Sequence, residues 1–352
     1  MMRDDDHAAR RPGARQRRAG PCSRQRGDPR IGSVLFRVAA GPRTGFGHLQ
    51  RALSLSRALH VPPVMSIRGS SATLRAARRL GVRVVDGSSA RNILLRQRPR
   101  ILIIDDREAR ATAPWRRAAR GLGVPIVSIH DLGIGFGDAD LIVDGSLTAQ
   151  APAGVVARVL IGTSYAILGR TARAGPRRPA AGESVVIALG GGRRRGLAVR
   201  LARALRVRRP AAEVLVAGGF SATGRQRGPA GIRWIRPDGL SDALRQASVA
   251  IVGGGVTLYE SCALGVPTVG IAVVASQVPT VTAFAARGAI IGGGLASGRG
   301  DSPAIVVTRV VGEVVNLLQD GATRRRLASA AASLVDRRGA ERVATAIRRL
   351  WP

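Results

Sequence analysis

The chain contains no lysine: all 56 of its basic residues are arginine, set against 22 acidic residues for a formal net charge of +34 over 352 residues. A surface selected to bind nucleic acid concentrates its basic residues and interleaves them with aromatic rings on which bases stack. Here the arginines run along the whole length, singly and in short runs such as 193–195 and 324–326, and only ten aromatic residues exist in the chain. A GC-rich coding bias accounts for the arginine better than a phosphate-binding surface does, and nucleic acid is not an expected partner. Weak, charge-driven attraction to an anionic membrane surface is the one lipid role this composition leaves open. The two cysteines, Cys22 and Cys262, make no disulfide framework and no metal-ligand spacing, so the compartment reads as reducing and cytoplasmic. No apolar run reaches the eighteen or so residues of a membrane span, and no apolar stretch follows the N-terminal charges to make a signal peptide.

What is present is aliphatic. At 45% hydrophobic the chain has enough apolar material for two domains. Residues 1–32 carry nine arginines and four aspartates with almost no large apolar residue and read as a disordered extension. From Val34 onward short aliphatic strands alternate with helices: Val34–Val38, Val64–Ile67, Val82–Val85, Ile101–Asp105, Pro125–Ile129 and Leu141–Val143, with helical patterns at 72–80 and 112–122. Uninterrupted runs such as Ile101-Leu102-Ile103-Ile104 predict strands buried on both faces, as in a parallel sheet under helices. The polar, proline-bearing stretch 170–182 reads as a linker, after which Val185–Leu189 opens a second such series. It continues through 213–217, 232–235, 249–252, 268–273 and 289–291. The reading is thus an α/β chain of two Rossmann-like domains facing a cleft, residues 33–169 and 183–335. A terminal helical segment at 336–352 is placed to cross back over the first domain. Glycine triplets at 190–192, 253–255 and 292–294 are expected just past strand ends, where open α/β sheets bind ligands.

Two segments carry chemistry. In Val34–His60 an apolar strand leads through Gly45 and Gly47 into a helix that opens at His48, with Leu49, Ala52, Leu53, Ser56 and Leu59 on one face. The partial positive charge at a helix start disfavours an imidazolium and leaves a histidine there available to accept a proton, while glycine N–H groups attract an anion. The plain alternative is a surface histidine in an ordinary turn. In Ile232–Gly288 the strand 249–252 ends in Gly253-Gly254-Gly255, and a short helix follows with Thr257 near its start and Glu260 one turn on. Such a turn holds a diphosphate on backbone N–H groups and a hydroxyl, and a carboxylate so placed accepts hydrogen bonds from ribose hydroxyls.

The second segment resembles the C-terminal domain of the GT-B family that contains the MurG-type N-acetylglucosaminyl transferases and the UDP-sugar hydrolases of the pseudaminic acid pathway. The resemblance implies uracil at the loop after Ile235, diphosphate at Gly254, Gly255 and Thr257, ribose at Glu260 and sugar at Gln277. Toward the N-terminus, Phe36-Arg37 followed by Gly45-Phe46-Gly47-His48 and Arg51 is similar to the signature of the pseudaminic-pathway hydrolases and the related spore-coat polysaccharide proteins. Ile103-Ile104-Asp105, Ser128–Leu132 and Ser164–Leu168 follow in the same order. In that subfamily the histidine matching His48 activates water, which expels UDP from the anomeric carbon with inversion. Gly190, Gly191, Gly192 and the arginines after them are placed at the departing diphosphate. Two positions depart: Ala39 where the family has an acidic residue, and Arg107, after Asp106, where active hydrolases have a tyrosine.

The leading expectation is therefore hydrolysis of a UDP-activated amino-deoxy sugar in a nonulosonic acid or surface polysaccharide pathway, with no metal and no cofactor. The alternatives are an inverting glycosyltransferase using a UDP-sugar and a binding protein without turnover. Asp138-Ala139-Asp140 spells the DxD of metal-dependent transferases but falls at a strand start and is assigned a structural use. Ser128, His130 and Asp131 are read as unable to form a relay, since neighbours on a strand point to opposite faces. His7 and His60 are read as solvated and Cys262 as a core thiol.

Overall fold

A computed structural model describes residues 34–41, 44–130, 138–151, 157–169, 177–190, 194–218, 232–236, 239–296 and 301–351. The arginine-rich extension, Asp131, Gly191, Gly192 and most of the predicted linker lie outside these residues. Two wholly parallel sheets organise the chain. The first runs β3-β2-β1-β4-β5-β6-β7, built from β1 (Val34–Ala39), β2 (Val64–Arg68), β3 (Arg83–Val84), β4 (Ile101–Asp105), β5 (Ile126–His130), β6 (Leu141–Asp144) and β7 (Arg158–Ile161). The second runs β10-β9-β8-β11-β12-β13, from β8 (Ser184–Ala188), β9 (Glu213–Ala217), β10 (Ile232–Ile235), β11 (Val249–Gly253), β12 (Thr268–Ala272) and β13 (Ile291–Leu295). Every residue of β4, β8 and β11 is buried, as unbroken aliphatic strands sandwiched between helices require.

In each sheet the strand order reverses once, between β1 and β4 and between β8 and β11. Crevices open at such switch points beyond the carboxyl ends of the strands. The helices that start there are α1 (Gly47–Leu59), after β1, and α7 (Val256–Ala263), after β11. The predicted apolar face of α1 is buried from Leu49 to Leu59, packed over β1, β2 and β4. The other helices are α2 (Ser71–Arg79), α3 (Ala90–Gln97), α4 (Ala109–Gly121), α5 (Arg195–Arg208), α6 (Leu240–Gln246), α8 (Val278–Ala286), α9 (Pro303–Gln319), α10 (Gly321–Leu334) and α11 (Gly339–Arg348). Helix α11 does return to the first sheet: Val343, Ala344 and Ile347 share one core with Leu49, Leu55 and Leu59 of α1. A Cβ at Gly339 would collide with the Ala166 carbonyl, so glycine sets how closely that helix approaches.

One sequence expectation gives way. Gly292–Gly294 do not follow a strand end but form the middle of β13, an edge strand against β12. A Cβ on Gly293 would stand 2.9 Å from Val310 Cγ2 of α9, so glycine there lets that helix pack closely on the edge strand. β7 and α3 were not foreseen as separate elements, being short and flanked by polar sequence.

Candidate functional site

The first wall of the crevice is a buried charge cluster on α1 and β4. Gly45, at φ +81, and the paired bridge between Gly41 and Gly45 turn the chain into α1, whose second residue is His48. His48, Arg51 and Asp105 are 5%, 6% and 1% exposed, so their charges face one another instead of water. His48 Nδ1 lies 2.7 Å from Asp105 Oδ1, while Arg51 donates from Nε to Asp105 Oδ2 at 3.0 Å and from its terminal nitrogen to Oδ1 at 2.6 Å. That terminal nitrogen is also 2.7 Å from His48 Nδ1. The guanidinium only donates and so asks Nδ1 to accept, whereas the ionised carboxylate only accepts and asks it to donate; the contact with Asp105 is the one that calls for a proton on Nδ1. Burial alone would raise the Asp105 carboxyl, but Arg51 and His48 outweigh it and hold the group below its ordinary range. An ionised Asp105 fixes the tautomer in which Nε2 carries the free lone pair, and Nε2 has no partner among the described residues. A carboxylate that orients a histidine in this way is the arrangement of a general base.

The next residue points to the opposite face of the sheet. Asp106 accepts from Arg68 Nε at 2.8 Å, lies 3.8 Å from Arg37, and takes the Glu108 N–H at 3.1 Å. Arg37 in turn stands over the Trp115 ring, 5.3 Å from its centre, and reaches Ser66 Oγ at 3.2 Å. The arginine of the Phe36-Arg37 pair thus braces the ends of β1, β2 and β4 from behind. Ala39 is buried in the core, and Arg107 points outward.

The second wall is the turn between β11 and α7. Two of its glycine N–H groups already have carbonyl partners: Gly254 donates to the Ile271 carbonyl at 3.1 Å and Gly255 to the Gly253 carbonyl at 2.8 Å. Gly45 on the other wall has likewise given its N–H to Gly41, at 2.7 Å. What Gly254 supplies is room, since a Cβ there would stand 2.8 Å from Val281 Cγ2 and 3.0 Å from Gln277 Cβ. The donors left over are the N–H groups of Val256 and Thr257, which have no partner among the described residues, beside the Thr257 hydroxyl. No side chain caps α7, a state it shares with α1, α4, α5, α6, α8 and α11, so what marks it is its place at the switch point beside α1. An uncapped helix start is a ready anion site.

Around this turn stand the remaining predicted residues. Glu260 Oε1 accepts the Gly169 N–H at 3.1 Å, and burial, offset in part by that bond, pushes its carboxyl up to about 7. Gln277 spends its Oε1 on the Val273 N–H at 3.0 Å, which turns its NH2 group toward Gly255. Gly190 is exposed at the end of β8 with φ +88, and Ile235, at the end of β10, accepts the Gly218 N–H through its carbonyl at 3.2 Å. The walls meet directly: a Cβ on Gly47 would lie 3.1 Å from Val256 Cγ2, so the starts of α1 and α7 are adjacent. Tyr259, which the sequence reading passed over, accepts the Leu147 N–H at 3.1 Å and ties α7 to the segment after β6. Its signal was an aromatic ring with a hydroxyl in an otherwise small-residue helix.

Arg120 spans both carboxylates of the DxD, reaching Asp138 at 2.8 Å and Asp140 at 2.8 Å, while Asp140 also takes the Ile126 N–H at 2.7 Å. Those aspartates secure the start of β5 to α4. Ser128 and His130 do interact, Oγ to Nε2 at 2.8 Å, because residues two apart on a strand share a face. Alternation separates adjacent residues and not this pair, so the expectation that Ser128 and His130 cannot meet is corrected. Arg116 joins them at 3.2 Å, on the face away from His48. Cys262 is a fully buried thiol pushed up to about 12, and His60 is the exposed left-handed cap of α1. No helix among the described residues is long and apolar enough to cross a membrane.

No protein-family model and no curated protein sequence matches the chain. Solved structures do. It is similar to the glycotransferase of kitacinnamycin, 18% identical with a TM-score of 0.63 over 91% of this chain and 99% of that one. MurG of Acinetobacter baumannii aligns at 14% identity and TM-score 0.60, covering 90% and 99%. S. aureus MnaA, solved with UDP, aligns at 12% identity and TM-score 0.59, covering 90% and 96%. These likenesses span both sheets in order, and the chain has the GT-B fold of two Rossmann-like domains.

Proposed function

We propose that the chain is a sugar-nucleotide enzyme that transfers a glycosyl group from a nucleoside diphosphate sugar, UDP being the first nucleotide to test, to an acceptor hydroxyl. The observation that carries this reading is the meeting of an Asp105-oriented His48 with the uncapped start of α7. A base then stands against a diphosphate site with the anomeric carbon between them. His48 Nε2 takes the proton of the attacking hydroxyl as its oxygen bonds to the anomeric carbon. The bond from that carbon to the diphosphate breaks on the opposite side, inverting the centre. The nucleoside diphosphate leaves as an anion held by the Val256 and Thr257 N–H groups and the Thr257 hydroxyl. Glu260 exchanges the Gly169 N–H for the ribose hydroxyls, and Gln277 faces the sugar. The leaving group needs little protonation, so one base suffices without the paired carboxylates of glycosidases.

Water in place of the acceptor is the second reading, hydrolysis of a UDP-activated amino-deoxy sugar. The low exposure of His48, 5%, favours it, because water reaches such a base more easily than a large acceptor does. The two readings part in one assay, release of UDP from a panel of UDP-amino sugars with and without candidate acceptors. Release that requires an acceptor and yields a glycoside establishes transfer; full-rate release in buffer alone establishes hydrolysis. Absence of release from every donor, with UDP bound, leaves a binding protein.

A further inference from the structure

Outside the crevice, α11 closes a second concavity where it crosses onto the first sheet. With β7 and the turn at Thr163–Tyr165 it forms a pocket of about 270 Å³. Four of its nine lining residues are arginine, Arg158, Arg338, Arg342 and Arg349, against 56 arginines in 352 residues, so the cluster exceeds what composition alone supplies. Two of the four have local partners. Arg342 is bound to Asp336 at 2.6 Å and donates to the Ser164 carbonyl at 2.9 Å, and Arg338 lies 4.0 Å from Glu341. Arg158 and Arg349 are exposed and have no hydrogen bond or ion pair among the described residues. Four guanidiniums against the carboxylates of Asp336 and Glu341 leave two positive charges uncompensated in one concave site, where Tyr165 adds a hydroxyl.

Guanidinium forks pair with phosphate oxygens two at a time, and several of them around one concave surface can hold a single anion in common. The volume falls just below the roughly 300 Å³ at which sites for larger organic ligands begin. We infer that this pocket binds a small phosphate-bearing anion, with inorganic diphosphate as its simplest representative. The site is separate from the crevice, because none of His48, Asp105, Thr257 or Glu260 lines it. An occupant would neutralise Arg158 on β7 and Arg349 beyond α11 together, fastening the end of the chain to the first sheet.

The test is calorimetric titration of the full chain with inorganic diphosphate, repeated on R158Q/R349Q and on R75Q/R79Q, which removes equal charge from the exposed side of α2. Saturable binding is expected in two events, one at the crevice of the proposed function, which T257V weakens, and one at the pocket, weakened at least tenfold in R158Q/R349Q and less than twofold in R75Q/R79Q, with melting temperatures unchanged. T257V is expected to leave the pocket event intact. The inference is overturned by an absence of the pocket event, by its equal weakening in both double variants, or by its loss in T257V with retention in R158Q/R349Q. Phosphatidylglycerol vesicles supply a further arm once the site stands. Displacement of diphosphate by vesicles identifies the phosphate as a lipid headgroup, and no displacement identifies it as a soluble anion.

Discussion

The two walls of the crevice differ in how much of their polar chemistry is already committed. On the α1 side, Asp105 is saturated by His48 and Arg51, the three side chains are almost fully buried, and a single ring nitrogen remains to act. On the α7 side, two backbone donors and a hydroxyl have no partner among the described residues, where Glu260 is spent only on the backbone N–H of Gly169. The contrast follows from the work each wall does. A base must be aligned before substrate arrives, since realignment during the reaction adds to the barrier. A binding surface must instead exchange weak partners for ligand, and a fully satisfied one would gain nothing by doing so.

The largest effect is expected at Asp105. Asp105→Asn removes the anion that fixes the His48 tautomer, and turnover is expected to fall about 10²- to 10⁴-fold. It also leaves Arg51 buried without its counter-charge, costing about 3–5 kcal/mol in denaturant unfolding. Nucleotide affinity should stay within twofold, because the other wall is untouched. Gly254→Val attacks that other wall: its side chain has no space between Val281 and Gln277. Nucleotide affinity is expected to drop at least tenfold and stability by about 1–3 kcal/mol.

Two subtler changes sharpen the contrast. Glu260 titrates near 7 in the folded chain against an ordinary 4.5, so between those values the folded state holds a proton the unfolded chain has released. Stability therefore falls as pH rises through that window. Ribose hydroxyls donate to the anion, so UDP affinity should rise roughly tenfold from pH 6 to pH 8 and lie flat in Glu260→Gln. Thr257→Val removes one hydroxyl from an uncapped helix start, and affinity should fall about fivefold with no change in melting temperature.

Much of this architecture is legible in the sequence because parallel strands buried on both faces are unbroken aliphatic runs. Ile101–Ile104, Val185–Leu189 and Val249–Val252 announce three such strands, and the face of α1 follows from helical spacing alone. Residue types at the site are legible too, as His48, Asp105, Thr257 and Glu260 stand where strands end. Their hydrogen-bond state is not. Whether the N–H of Gly45, Gly254 or Gly255 is available depends on which carbonyl folds against it, and those carbonyls come from Gly41, Ile271 and Gly253. Spacing likewise cannot tell that Gly292–Gly294 continue as an edge strand under α9, since a glycine run suits a turn and a close-packed strand equally. The pairing of His48 with Asp105, 57 residues away, becomes visible only once β1 and β4 lie side by side.

The most direct test of a committed wall facing an uncommitted one is His48→Ala, assayed both for turnover of a UDP-sugar and for UDP binding by titration. Turnover is expected to fall by at least 10²-fold with UDP affinity within twofold of the original. Turnover retained in His48→Ala, or turnover and UDP binding lost together, would contradict that contrast.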